Sequence, residues 1–403
     1  MKILVLNAGS SSQKSCLYDI PDDRLPEQPP DPLWEAQIDW APAMAEVKVK
    51  ANGQELKQSI AYKSRSPVME QMLNMLWSGA TQVIADPSAI QMVGHRVVHG
   101  GQDYHDSVRV TAEVKAAIDR LSDLAPAHNP VNLEGIQAIE AILGDVPQVA
   151  VFDTAFHARI PDSAAIYPIP YAWSERGIRR YGFHGTSHRY CAQKTAQILG
   201  KDLKDLKIVT CHLGNGCSLA AIRGGRSVHT TMGFTPLDGL MMGSRSGSVD
   251  PSILLYMLRE EGYTVEQLDQ ELNQASGLLG VSGISNDMRL VTQAAEQGNP
   301  RAKLALEIYI HRLHALMGSM VAILNGIDAL VFTAGVGENA ADIRAKACEN
   351  FAYMGLKLDA EKNSSRPRNQ VISTEDSTVK VLVIHTQEDW AIARECWEIL
   401  QEV

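Results

Sequence analysis

Asn7-Ala-Gly-Ser-Ser-Ser-Gln-Lys14 follows directly on the apolar run Ile3–Leu6, and the reading of this stretch decides the fold. Small residues let the backbone turn sharply there, while amides, hydroxyls and one ammonium converge on a small volume. Such a loop can hold a polyphosphate. Gly9 and Lys14-Ser15 are spaced as in G-x-x-x-x-G-K-[ST], but Gln13 stands where that pattern has its second glycine. Cys16-Leu-Tyr-Asp19 then reads as a returning strand, where the pattern would open a helix. Two readings stay open: a β-hairpin that cradles phosphate, and a serine-rich hairpin turn.

A second stretch begins in the same way. Lys207–His212 reads as a strand, Leu213-Gly-Asn-Gly-Cys-Ser218 as a glycine turn, and Leu219–Ile222 as the returning strand. The likeness suggests a divergent internal duplication, and two such units face to face would bring both loops to one cleft, a natural seat for a nucleotide. Around these anchors, Pro21–Pro32 reads as an exposed proline-rich loop. Leu33–Asp39, Glu46–Val49 and Ser59–Lys63 alternate like strands. Val68–Trp77, Glu113–Leu124 and Val131–Leu143 have helical spacing, the last with Asn129 as N-cap and Pro130 at the first helical position. Ile90–Val98 is an apolar run, and Gln148–Phe152 a buried strand that delivers Asp153 at its end. Beyond the helix Ser187–Leu199 the pattern is mostly helical from 250 to 326, including Arg301–Leu324. Strands at Ala329–Thr333 and Val379–Ile384 and a helix at Trp390–Leu400 close the chain.

With 403 residues the chain has room for two or three domains. Its 45% hydrophobic and 21% charged residues are ordinary for a soluble globular protein. A net charge of −10 argues against a nucleic-acid or anionic-membrane surface, so anionic substrates need local cations or a metal. Six scattered cysteines without C-x-x-C suggest reduced thiols, and no run of membrane-spanning length or signal-peptide pattern is present. The expectation is a soluble cytoplasmic protein with neither nucleic-acid nor membrane partner.

Further blocks make the resemblance specific. They are Gly94-His-Arg-Val-Val-His-Gly-Gly101, Leu124-Ala-Pro-Ala-His-Asn-Pro130, Phe152-Asp-Thr-Ala-Phe-His157 and Arg180-Tyr-Gly-Phe-His-Gly-Thr-Ser-His188. His212–Ser218, Met241-Met-Gly-Ser-Arg-Ser-Gly-Ser-Val-Asp-Pro251, Ser282–Arg289 and Phe332–Asn339 complete them. Together with Asn7–Lys14 they resemble the acetate/propionate kinase family of the sugar kinase–Hsp70–actin superfamily, from residue 3 to about 390. The resemblance implies an α/β protein with a two-domain actin-like (ribonuclease H-like) fold, duplicated mixed β-sheet units flanked by helices, and a cleft between domains. Domain I would comprise 1–153 plus 389–403, on the acyl side, and domain II 154–388, for nucleotide binding and dimerisation. A homodimer is implied by the resemblance alone.

The implied reaction is magnesium-dependent, direct in-line transfer from ATP to acetate, giving ADP and acetyl phosphate, with Mn2+ as a substitute ion. Two anions must meet, so acceptor and transferring group each need cations. By resemblance Arg96 pairs with the acetate carboxylate, a task that suits a planar guanidinium, and an ordinary ion pair is its structural alternative. Arg245, in a glycine/serine loop otherwise readable as flexible surface, would stabilise the phosphoryl oxygens with His184, and His128 would sit near the phosphoryl path. His184 and His188 are four apart, but Gly185 replaces the Glu of H-E-x-x-H. Acetate is already ionised, since carboxyl pKa values lie near about 4, so Asp153 need not act as a base in the forward direction. It is expected to orient metal-bound water or the arginines, although the family role is often given as proton transfer. Asn7 and Glu388 match the magnesium-associated positions, with Gln387-Glu-Asp389 in place of the family's Asn-Glu-Glu. Nucleotide contacts are implied for Lys14, for His212, Leu213, Gly214, Asn215 and Gly216, and on the adenosine side for Asp287, Met288 and Arg289. Gly335, Val336, Gly337, Glu338 and Asn339 join that side.

An acyl pocket walled by Val98, Phe183 and Pro236 is also implied. Ala127 stands where these kinases commonly carry leucine, which predicts that acetate stays preferred while propionate is accepted better than usual. A methylene is worth only about 1–3 kcal/mol in such pockets. The rival enzymatic reading is a propionate or other short-chain acyl kinase. The other rival is a nucleotide-dependent binding protein of the actin/Hsp70 class.

Overall fold

A computed structural model describes residues 1–9 and 12–401, so Ser10 and Ser11 of the first loop lie outside the described residues. The chain divides into two compact units, Met1–Ala155 with Gln387–Val403, and Phe156–Thr386.

The first unit is built on eight strands: β1 (Lys2–Ala8), β2 (Ser12–Asp19), β3 (Trp34–Ala41), β4 (Met44–Ala51), β5 (Gln54–Ala61), β6 (Met92–Val97), β7 (Val108–Arg109) and β8 (Gln148–Phe152). They lie in the order β5-β4-β3-β2-β1-β6-β8-β7. β1 to β5 form an antiparallel meander, β6 and β8 run parallel to β1, and β7 closes the edge antiparallel to β8. Residues of β8 are buried throughout, as a strand covered on both faces requires, whereas β3 and β4 alternate buried with exposed. One face packs Leu4, Leu6, Trp34, Ile38 and Val93 against Met69 and Met72 of the helix Arg65–Asn74 and Ile139 of the helix Asn129–Leu143. The alternate face receives the last helix, Glu388–Gln401, over Gly94.

The second unit repeats this plan with six strands: β9 (Lys207–Leu213), β10 (Cys217–Arg223), β11 (Arg226–Thr230), β12 (Ala329–Thr333), β13 (Gln370–Val371) and β14 (Lys380–Val383). Their order is β11-β10-β9-β12-β14-β13. The antiparallel trio β9-β10-β11, the parallel strands β12 and β14, and the antiparallel edge strand β13 match β1-β2-β3, β6, β8 and β7 in order and direction. The duplication read from two strand–turn–strand stretches therefore extends over all six strands of the second sheet, β4 and β5 of the first having no counterpart there. Helices Gly185–Leu199 and Pro300–Leu324 pack on this sheet.

One local expectation is corrected. Asn129 is not the N-cap: His128 is, and the Asn129 amide is buried, accepting from the His99 N–H at 3.1 Å and donating to the His99 carbonyl at 3.1 Å. Residues 334–339 form a short helix, Ala334–Asn339, packed on the strands by Gly337. Among the described residues no helix is long and apolar enough to cross a membrane, and all six cysteines are free and buried.

Candidate active site

In each unit the polar residues gather where the parallel strands end, the position at which open α/β sheets bind ligands. In the first unit Asn7 ends β1, Arg96 lies near the end of β6, and Asp153 follows β8, with its N–H still bonded to the Val97 carbonyl at 2.9 Å. Arg96 donates through Nε to Asp153 Oδ1 at 2.9 Å and through Nη2 to Oδ2 at 2.6 Å. This bidentate pair is part-buried. Burial disfavours the guanidinium charge, but Asp153 outweighs it and holds Arg96 firmly protonated. Nη1 points to Asn7 Oδ1 at a longer 3.5 Å.

Asn7 Nδ2 donates to Asp389 Oδ1 at 2.8 Å and reaches Glu388 Oε2 at 3.5 Å. Both carboxylates stand in the first turn of the last helix, and burial raises both above the usual carboxylate range. Asp389, which lies in the quoted triplet Gln387-Glu-Asp389 but was given no role there, is thus the nearer partner of Asn7. Lys14, on β2 opposite Asn7 in register, is exposed and lines a groove of about 200 Å³ with Cys16, Glu35, Lys48, Lys50 and Asp389. Val98 is buried just after β6, while Ala127 is exposed in the turn before His128.

In the second unit His184 caps the helix Gly185–Leu199 in the left-handed conformation, φ 58°, which a non-glycine residue adopts at a cost of about 1–2 kcal/mol. The turn aims its ring at the β9–β10 hairpin, where it stacks on His212 with centroids 4.1 Å apart. A methyl group on Gly216 would stand 3.5 Å from Arg245 Nη1 and 3.6 Å from His184 Nε2, so both groups border the same small space above the glycine turn. Arg245 also donates to the Pro236 carbonyl at 3.3 Å. Its loop is pinned rather than flexible: the Gly243 N–H bonds to the Asn215 carbonyl at 2.9 Å, and the Leu278 and Leu279 N–H groups bond to the carbonyls of Met242 and Gly243.

Behind His184 lies a buried polar chain. His184 Nδ1 is 2.8 Å from Ser218 Oγ, His188 Nε2 is 2.8 Å from the same oxygen, and His188 Nδ1 is 2.6 Å from Thr210 Oγ1. His212 Nδ1 meets Ser187 Oγ at 2.8 Å. Burial, with His157 and His212 nearby, drives the His188 pKa well down, so that ring is neutral. The four-residue spacing of His184 and His188 serves this network, and no cluster of metal-binding type occurs among the described residues. His157 Nε2 bonds to the carbonyl of buried Phe183 at 3.1 Å.

Asp287 caps the helix Met288–Glu296 and holds the exposed Arg289 at 2.6 Å, with Met288 buried beneath. Glu338 accepts from the Ala334 N–H at 3.1 Å and faces His385 Nδ1 at 2.6 Å. Fully buried Arg344 closes the same short helix by donating to the carbonyls of Gly337 and Glu338 at 2.9 and 2.8 Å. Neither His385 nor Arg344 belonged to a block quoted from the sequence.

The profile of the acetokinase family matches residues 2–394. The acetate kinase of Gloeobacter violaceus is 64% identical over 404 residues, covering all of both chains, and that of Nostoc sp. 62% over the same length and coverage. Among solved structures, Porphyromonas gingivalis acetate kinase superposes with a TM-score of 0.91 at 39% identity over 99% of each chain. A propionate kinase from Francisella tularensis superposes at 0.89 with 41% identity over 98% of each. The duplicated sheets and their polar strand ends are those of a phosphotransferase with the actin-like fold. Within that class, the chain belongs to the acetokinase family.

Proposed function

We propose that the chain catalyses ATP + acetate ⇌ ADP + acetyl phosphate by direct in-line transfer, the first unit serving the acceptor and the second the nucleotide. The observation that carries this reading is Arg96: Asp153 fixes its plane through Nε and Nη2, while among the described residues Nη1 makes a long contact with Asn7. A guanidinium so oriented can take a small carboxylate on its remaining edge and neutralise it before attack. Asp153 acts by holding Arg96, since an ionised acceptor has no proton to lose. Arg245 and His184 border one space and would share the charge that develops on the phosphoryl oxygens. His128, at a helix N-terminus, would serve the acyl side, while the glycine turn His212–Gly216 and the segments 287–289 and 335–339 would hold the nucleotide.

Magnesium fits the first unit. Glu388 and Asp389 share the Asn7 amide, and two buried carboxylates side by side are a charge excess that a divalent ion keeping most of its waters would offset. Asn7 and Glu388 would hold it, and when bound it supplies charge neutralisation to the nucleotide phosphates. A homodimer through the second unit is supported by Ile253, Leu255 and Tyr256, which stand about half exposed on one helix. Six free thiols suit a cytoplasmic location.

Trapping acetyl phosphate as the hydroxamate, from ATP, magnesium and a series of short acids, tests the reading with Arg96→Ala and Arg245→Ala as controls. ADP release independent of added acid would favour a nucleotide-binding protein instead. The propionate kinase among the structural relatives keeps a propionate reading open, and the acid series decides it. Ala127→Leu should lower kcat/KM for propionate relative to acetate by about tenfold; an unchanged ratio would remove residue 127 from the acyl pocket.

A further inference from the structure

We propose that Thr210, His188 and Ser218 form a one-way hydrogen-bond relay that fixes His184 as the neutral tautomer with its proton on Nε2, the nitrogen beside Gly216. The direction follows from the buried end. Thr210 is fully buried, and among the described residues its hydroxyl has one side-chain partner, His188 Nδ1. Were His188 to donate through Nδ1, the Thr210 O–H would be left without an acceptor in the interior, at a cost of about 1–3 kcal/mol. The Thr210 O–H therefore donates to Nδ1. A neutral His188 then carries its proton on Nε2 and donates to Ser218 Oγ, and the Ser218 hydroxyl, having accepted there, donates to His184 Nδ1. His184 is left with its proton on Nε2.

The groups around His184 agree. Arg245 borders the same space, so a second positive charge there would be repelled. A neutral ring with a directed N–H donates to an anionic oxygen without that repulsion. It also keeps donating above the pH at which an imidazolium would lose its proton. Successive bonds pointing one way polarise each other and strengthen the last donor. The residues are positioning residues, and their catalytic consequence rests on the phosphoryl-transfer reading above.

The test is nitrogen NMR of the full chain with labelled histidine near neutral pH, the His184 signals being assigned by their absence in His184→Gln. The expected result is a pyridine-type Nδ1 and a pyrrole-type Nε2. The opposite pattern, or a doubly protonated ring, overturns the relay whether or not the protein is active. Kinetically, Thr210→Val should lower kcat about tenfold, with KM values for both substrates within about twofold, and Thr210→Ser should restore it. An unchanged kcat in a folded Thr210→Val overturns the relay's part in catalysis.

Discussion

Arg96 and Asp153 depend on a match of shape as much as of charge. Lysine would keep the positive charge, but its three N–H donors radiate from one atom and cannot reproduce the planar two-point fork on Asp153 with a second flat edge turned to another acid. Arg96→Lys should therefore lower kcat/KM for acetate by about a hundredfold and leave KM for ATP nearly unchanged, as measured by the hydroxamate assay. Equal losses for both substrates would place Arg96 elsewhere in the reaction. His95, the preceding residue on β6, has the opposite character. Its Nε2 sits 2.6 Å from Gln148 Oε1, and burial pushes its pKa down to about 4, against the pull of that hydrogen bond. The unfolded chain would protonate it near about 6.5. The stability tied to its neutral form is thus complete above about pH 6.5 and drains away as the pH falls toward about 4, by up to about 3 kcal/mol. Urea unfolding across that range should show a steeper pH dependence for the wild type than for His95→Asn; parallel curves would refute the assignment.

The last helix packs on β6 because residue 94 has no side chain. A Cβ there would lie 2.6 Å from Cys396 Sγ and 2.7 Å from Ile392 Cγ2. Gly94→Ala should cost about 1–3 kcal/mol in denaturant unfolding, and shortening Ile392 in the same chain should return part of it. At this scale the sequence was informative wherever burial was uniform. Gln148–Phe152 and Ala329–Thr333 are found at the boundaries read from it, because parallel strands covered on both faces must be apolar throughout. It was weakest at edges. The strand Arg226–Thr230 and the two-residue strands at 108 and 370 carry no periodic signal, and their pairing is decided by neighbours distant in sequence. Asn129 misled for a related reason: it is a favoured cap residue, but its amide is engaged by the backbone of His99. The site divides similarly. Residues in quoted blocks stood out as candidates, Asp389 among them though without a role, whereas Arg344 and His385 act through contacts that only folding creates.

At the scale of the whole molecule, three exposed apolar residues, Ile253, Leu255 and Tyr256, stand together on the helix Pro251–Arg259 and offer a face for the proposed dimer. If the proposed dimer forms through this face, Tyr256→Asp together with Ile253→Asp should convert it to a monomer in sedimentation while the fold persists, and a species unchanged in mass would exclude this face. The chain ends carry another implication. The first unit is assembled from Met1–Ala155 and the segment beginning at Gln387, and that segment brings the two carboxylates that hold Asn7. During synthesis the second unit emerges entire before the first has received its closing helix. A nascent chain paused before that helix leaves the ribosome would carry β1 and β6 with Gly94 uncovered, so early termination should yield a species prone to chaperone capture rather than a weakly active enzyme.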